Sequence, residues 1–319
     1  SYSGIGIDKT QTTQGGCDYW IIKLDSLGNK QWDKDFGGMD GDFLFSLKQT
    51  TDGGYILGGY SWSGIGGDKT QDTIGGPDYW IVKTDSLGNK QWDKDFGGTS
   101  NDFFRSVDQT SDGGFILGGF SFSGIGGDKT EASYGTFDYW IVKTDSLGNK
   151  EWDKDFGGTW DDDLFALQQT TDGGYIVAGF STSNDGDVTG NHGGNDYWVV
   201  KLNSTGTIQW QKSLGGSTYD EARSIQQTTD GGYIVAGYTN SNDGDVTGNH
   251  GGTDYWIVKL DNLGNIQWQK SIGGSGYDSS YSIIQTTDLG YVIAGSAGSN
   301  DGDISGNYGS SDYWIIKLD

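Results

Sequence analysis

Asp78-Tyr79-Trp80-Ile81-Val82-Lys83-Thr84 recurs along the chain with little change. Its Asp-Tyr-Trp triplet begins at Asp18, Asp78, Asp138, Asp196, Asp254 and Asp312, at spacings of 60, 60, 58, 58 and 58 residues. Self-similarity at a fixed period marks a repeat architecture. Within the stretch, Tyr79, Ile81 and Lys83 alternate with Trp80, Val82 and Thr84. An extended segment sends alternate side chains to opposite faces, so this one carries bulky groups on both and needs cover on both.

Three further segments flank it in each unit. Phe43–Thr50 and Tyr55–Tyr60 precede it and Lys90–Phe96 follows, all rich in aromatic and β-branched residues and bounded by Gly, Asp, Asn or Ser. Asp52-Gly53-Gly54 predicts a tight hairpin between the first two, since glycine adopts the positive φ such turns require. Ser86–Asn89 predicts the same between the third and fourth. Gln91, Asp93 and Asp95 give the fourth segment a polar side, as expected of an outer strand in water. No stretch has a helical period. The chain reads as all-β.

Four antiparallel strands every 58–60 residues suit a propeller or a stacked solenoid, and solenoid coils are usually shorter with one or two strands. The expectation is a β-propeller of four-stranded antiparallel blades, with five blades first and six second, formed by residues 1–319 as one repeat domain. Residues 43–98, 103–158, 164–216 and 222–274 make complete blades. Residues 281–319 supply three strands of a fifth, which residues 30–36 are expected to complete. One Asp-Tyr-Trp strand is then surplus, an edge able to self-associate or the mark of a longer array.

Composition narrows the partners. Glycine occurs 58 times in 319 residues but proline once, without a triplet period, so the chain is not collagenous. Thirteen tryptophans rule out a chain too polar to fold. A formal charge of −24 repels phosphate backbones and anionic headgroups, which argues against nucleic acid and membrane partners. No apolar run nears the roughly 20 residues of a spanning helix. Cys17 is the sole cysteine, so an intramolecular disulfide is excluded. Ser1-Tyr2-Ser3-Gly4 carries no leader pattern.

Tyr55-Ile56-Leu57-Gly58-Gly59, a long loop, Asp78 through Asp85 and then Trp92 resemble a kelch repeat. That family has a diglycine ending its second strand, an aromatic third strand and a tryptophan in its fourth. The resemblance spans the chain, with a unit longer than the roughly 50 residues of kelch. Units such as Ser224-Ile225-Gln226-Gln227-Thr228-Thr229-Asp230-Gly231-Gly232-Tyr233 are similar to repeats in secreted, cell-surface proteins of Bacteroidetes-type bacteria. There they often precede a type IX secretion sorting domain. The resemblance implies an extracellular or cell-surface protein.

Strand order puts the long 2–3 loops and the 4–1 connections on one face, the place to look for function. The late 2–3 loops align oxygen side chains at alternate positions: Asp185, Asp187, Thr189 and Asn191; Asp243, Asp245, Thr247 and Asn249; Asp301 and Asp303. Asp-x-Asp spacing suits Ca²⁺, and the same residues also suit local turn capping. Acidic 4–1 connections, at Asp40, Asp42, Asp102, Asp161 to Asp163, Asp220, Glu221 and Asp278, read as a solvated rim. His192 and His250 recur 58 residues apart and read as loop architecture. Trp62 and Trp160 stand outside the repeated tryptophan positions; an exposed indole there is a platform for a sugar ring, a buried one a packing group. These features favour a non-catalytic adhesion or binding module for a surface glycan or protein. The alternative is a secreted polysaccharide hydrolase with an acidic cleft, since paired carboxyls can serve glycoside cleavage.

Overall fold

A computed structural model describes all residues from Ser1 to Asp319, and it contains strands and no helix. In the repeating unit, β3 (Asp42–Gln49), β4 (Tyr55–Ser61), β5 (Asp78–Thr84) and β6 (Lys90–Phe96) form one antiparallel meander. It follows β1 (Tyr19–Leu24) and β2 (Lys30–Phe36). Three more four-stranded sheets repeat it. They are β7 (Asp102–Gln109), β8 (Phe115–Ser121), β9 (Asp138–Thr144) and β10 (Lys150–Phe156); β11 (Asp162–Gln169), β12 (Tyr175–Ser181), β13 (Asp196–Leu202) and β14 (Ile208–Leu214); and β15 (Asp220–Gln227), β16 (Tyr233–Thr239), β17 (Asp254–Leu260) and β18 (Ile266–Ile272). A three-stranded sheet of β19 (Asp278–Gln285), β20 (Tyr291–Ala297) and β21 (Asp312–Leu318) ends the chain. The chain is thus built of repeated four-stranded antiparallel blades, four complete and two partial.

Each blade follows from its turns. Gly53 has φ +82° and Gly88 φ +76°, conformations that an L side chain disfavours. Asp85 Oδ1 accepts from the Leu87 and Asn89 main-chain N–H groups and fixes the second turn. The register between β3 and β4 shifts between Leu44 and Ser46, and the bulge recurs in every complete blade whose register is defined there, as at Leu164/Ala166 and Ala222/Ser224. One extra residue bends the inner strand and raises its twist.

One pairing differs from expectation. Residues 30–36 do not complete the C-terminal blade; as β2 they pair with β1, Tyr19 opposite Phe36. The Asp25–Asn29 turn joins these strands directly, and a short loop costs far less entropy to close than a ladder between distant segments.

The strands gather in two compact units. The first, Ser1–Ser133 with Tyr139–Asp155, holds β1–β8 and nearly all of β9 and β10. Its cores stack sheet on sheet: Tyr19, Ile21 and Phe36 meet Leu57, Trp80 and Val82. Ile56, Tyr79 and Ile81 meet Phe104, Val107, Leu117 and Trp140. The second unit, Tyr134–Asp138 with Phe156–Asp319, repeats the arrangement with Tyr197, Val199, Val235 and Trp256, then Tyr255, Ile257 and Ile293. Trp80, Trp140, Trp198 and Trp256 are fully buried.

The fourth strand is the outer edge of its sheet and Gln91 is exposed, but the rest of its polar side does not face water. Asp93 and Asp95 are buried because the 2–3 loop folds over them. Thr70 donates to Asp93 from both its N–H, at 2.9 Å, and its hydroxyl, also at 2.9 Å. Lys69 is buried against Asp95 in a close ion pair.

Candidate functional site

The acidic 4–1 connections are structural for the most part. Asp42, Asp102, Asp162, Asp220 and Asp278 have no exposure, which corrects the solvated rim at those positions. A carboxylate at the head of an inner strand can cap the diglycine turn before it: Asp102 Oδ2 accepts from the Gly98 N–H at 2.7 Å and from the Ser123 hydroxyl at 3.0 Å. The Asp of the Asp-Tyr-Trp triplet comes up on the other side of the same glycine pair. A Cβ on Gly215 would lie 2.6 Å from Asp196 Oδ1 and 2.7 Å from Asp220 Oδ2, so only glycine lets the two carboxyls approach. Burial pushes Asp78 up to about 8, Asp162 to about 7 and Asp196 to about 6. These carboxyls act on each other and on loop amides.

Most late-loop side chains have a protein partner. Asp185 accepts from the Thr159 N–H at 2.7 Å and from its hydroxyl. Asp301 accepts from the Ser275 N–H and hydroxyl, both at 2.7 Å, and Asp243 from the Ser217 N–H at 2.7 Å. Asp245 and Asp303 take the N–H of Gly215 and Gly273 at 3.4 and 3.3 Å. The Asp187 N–H donates to the Gly157 oxygen at 2.9 Å. Thr189 and Thr247 accept from Gln211 and Gln269. Asn191 and Asn249 point their amide N–H groups at the main-chain oxygens of Ser181 and Thr239. No three His, Cys, Asp or Glu side chains gather as metal ligands. These contacts are those of local turn capping.

Trp62 is 48 % exposed at the start of a 2–3 loop, and Trp160 is 62 % exposed in a 4–1 connection. Their main chains are fixed, Trp62 N–H to the Gly41 oxygen at 3.0 Å and Trp160 N–H to Ser183 Oγ at 2.9 Å. Both indoles are therefore presented on anchored loops. Tyr219 and Tyr277 are exposed on the corresponding connections of the next two blades.

Sequence reasoning missed the grooves at the blade seams. In the first unit an open groove of about 530 Å³ is lined by Thr10, Gln14, Lys34, Asp68, Asn89 and Lys90 among others. In the second unit a groove of about 510 Å³ is lined at matching repeat positions by Thr189, His192, Lys212, Asp245, Asn265 and Ile266. The signal was available: Lys34 and Lys212 occupy one repeat position, Asn89 and Asn265 another. His192 bridges its seam, with Nδ1 2.8 Å from Asp196 and Nε2 4.0 Å from Asp245 of the following blade. His250 repeats this with Asp254 at 2.8 Å and Asp303 at 3.9 Å, and the hydrogen bond to Asp254 raises its pKa. On the hairpin side, a groove of about 440 Å³ has Trp210 and Tyr233 as walls with Asp172, Lys201, Gln209 and Gln227 around them. The Trp–aromatic wall recurs as Trp32–Tyr55, Trp92–Phe115 and Trp268–Tyr291, each at 5.8 Å between centroids. Such grooves offer a ring-stacking surface beside fixed donors and acceptors, the chemistry that holds a hydroxyl-rich ligand.

The inner strands carry a second unforeseen pattern. Position by position, Phe45, Arg105, Phe165, Arg223 and Tyr281 alternate aromatic and cation. Arg223 lies 3.8 Å over the Phe165 ring and pairs with Glu221 at 2.6 Å; Arg105 lies 5.5 Å over Phe45.

No sequence-family model matches the chain, and no curated protein does. Solved structures are similar in fold at low identity. A protein of unknown function from Dyadobacter fermentans is 11 % identical with a TM-score of 0.49, over 91 % of this chain and 79 % of that one. The Pan2 WD40 domain of Neurospora crassa is 11 % identical with a TM-score of 0.43, over 79 % and 72 %. A xylan β-1,4-xylosidase from Bacillus halodurans is 11 % identical with a TM-score of 0.39, over 87 % of this chain and 53 % of that one.

Proposed function

We propose that the chain is a non-catalytic binding module of kelch-like blades, acting outside the cell or at its surface on a glycan or protein ligand. The observation that carries this is the recurrence of one groove on matching residues: Thr10, Lys34, Asp68 and Asn89 in one unit, Thr189, Lys212, Asp245 and Asn265 in the other. Equivalent weak sites on one chain gain affinity for a repetitive ligand by avidity. Trp62 and Trp160 add exposed ring platforms. Glycoside cleavage instead asks for two carboxyls facing one substrate bond, whereas in the 4–1 connections Asp42, Asp162 and Asp220 have no exposure and only their neighbours Asp40, Asp161 and Glu221 reach solvent.

A glycan array with the intact chain, run with and without calcium, tests the proposal. Retention of a polysaccharide family, weakened several-fold by Trp62→Ala or Trp160→Ala, supports it. A signal that depends on calcium would assign the late loops a cation-assisted part. Release of new reducing ends from any bound glycan would replace the binding module by the hydrolase.

A further inference from the structure

Three copies of the repeat share a buried lysine that the others lack. Lys9, Lys69 and Lys129 occupy one position in the loop before the Asp-Tyr-Trp strand, and Asp35, Asp95 and Asp155 one position in the strand after it. All six are buried and form three ion pairs. Where the loop carries Val188 or Val246 instead, the strand carries Ser213 or Ser271. The two positions change together, lysine with aspartate and valine with serine.

The geometry within a pair goes beyond charge attraction. Lys9 Nζ lies 2.5 Å from Asp35 Oδ2, yet no hydrogen bond joins them. Lys69 and Lys129 meet Asp95 and Asp155 just as closely. A third carboxyl, from the Asp-Tyr-Trp triplet, completes each group. Asp18 lies against Asp35 at hydrogen-bonding distance, and the Asp78 charge acts on Lys69. Asp78 has no exposure, and its Oδ1 has no hydrogen-bond partner. The Trp80 and Trp140 rings wall the site, 6.0 Å from Lys69 Nζ and Lys129 Nζ. Burial pulls Lys69 down to about 8 and pushes Asp78 up to about 8 and Asp35 to about 7. A neutral amine and a protonated carboxyl are therefore both accessible near neutral pH.

We propose that these three pairs condense into Lys–Asp isopeptide bonds, cross-links that the folded chain forms by itself between each loop and the strand beneath it. The ammonium proton first passes to the carboxylate, leaving a neutral amine and a neutral acid. In the first copy the Lys9 Nζ lone pair then attacks Asp35 Cγ, while Asp18 donates to the Asp35 oxygen and draws electrons from the carbon. Asp78 and Asp138 hold the same place in the other two copies. The Asp35 C–O bond breaks, a second amine proton passes through Asp18 to the departing hydroxyl, and one water leaves for each amide formed. Nothing is oxidised or reduced, and no co-reactant is needed. Apolar walls favour the neutral reactants over the ion pair and keep out the water that would reverse the step. The single cysteine leaves the chain no disulfide of its own, and these bonds take that stapling role.

Mass spectrometry of the denatured full chain tests this. The wild-type mass should fall short of the sequence mass by three waters, and proteolysis should release a branched peptide joining Lys69 to Asp95. Lys69→Arg should fall short by only two waters, with the other two bonds intact. Asp78→Ala, which keeps both reacting groups, should also leave that pair uncondensed in a chain whose circular dichroism matches wild type. If either variant fails to fold, the branched peptides of the wild-type chain decide alone. A folded wild-type chain that keeps its full sequence mass on prolonged incubation overturns the proposal. So does a water loss that survives Lys69→Arg undiminished and maps to succinimides at Asp-Gly pairs such as Asp52-Gly53.

Discussion

Leu289 is the one non-glycine residue with positive φ, at 71°, in the hairpin position that glycine fills in the other blades. An L side chain there costs about 1–2 kcal/mol, and the leucine is mostly exposed, so little packing offsets that. Leu289→Gly should stabilise the chain by about 1 kcal/mol, read as a higher urea midpoint with an unchanged slope; a lower midpoint would mean the leucine packs usefully. The buried carboxyls govern the response to pH. Asp78, Asp162 and Asp196 are raised by burial from 3.8 to about 8, 7 and 6. The folded state therefore holds more protons than the unfolded one above about pH 4, and stability falls as pH climbs toward these values. His250, also raised, adds stability below its unfolded value that is lost as pH rises through its folded one. Asp52, held at about 2 by the Lys83 hydrogen bond, works the other way and loses its contribution only as pH falls below about 4. The melting temperature should thus decline between about pH 5 and pH 7; a rise across that window would contradict the buried pairs.

Among elements, the blades show two solutions to one packing problem. Lys69 and Asp95, or Lys129 and Asp155, form a buried ion pair in the first unit. Val188 and Ser213 take those repeat positions in the second unit, with Val188 fully buried. Removing one partner of a buried pair costs about 3–5 kcal/mol, while replacing both is often neutral. Lys69→Val alone should be strongly destabilising, and Lys69→Val with Asp95→Ser should recover the part of the loss due to the unpaired charge. Additive losses in denaturant melts would show that the pair has no such equivalence. This exchange also marks where the sequence was readable. Strand positions were legible because Tyr79 to Thr84 alternates and Gly53 and Gly88 mark turns, and Lys90–Phe96 is β6 as expected. Burial of Asp93, Asp95 and Lys69 was not, because it depends on where a long loop folds back. The bulge at Leu44/Ser46 leaves no mark in composition. Of the candidate site, the exposure of Trp62 and Trp160 was left open by the sequence and is now defined. The seam grooves escaped notice because each takes residues from two blades, and no single repeat displays them.

At the scale of the molecule, repetition shapes both the fold and its proposed use. Within each unit one blade covers the next with the same Tyr–Trp contact, and a matching groove lies at a seam of each unit. A ligand that repeats at a comparable interval can occupy several grooves at once, and a single sugar unit gains nothing from that. The most direct measurement is calorimetric titration of the intact chain with a graded series of oligosaccharides from the polysaccharide family retained on the array. The account predicts more than one equivalent site per chain for short members, and a steep gain in affinity once a ligand is long enough to reach a second seam. A single site of length-independent affinity, lost entirely with one groove, would contradict it.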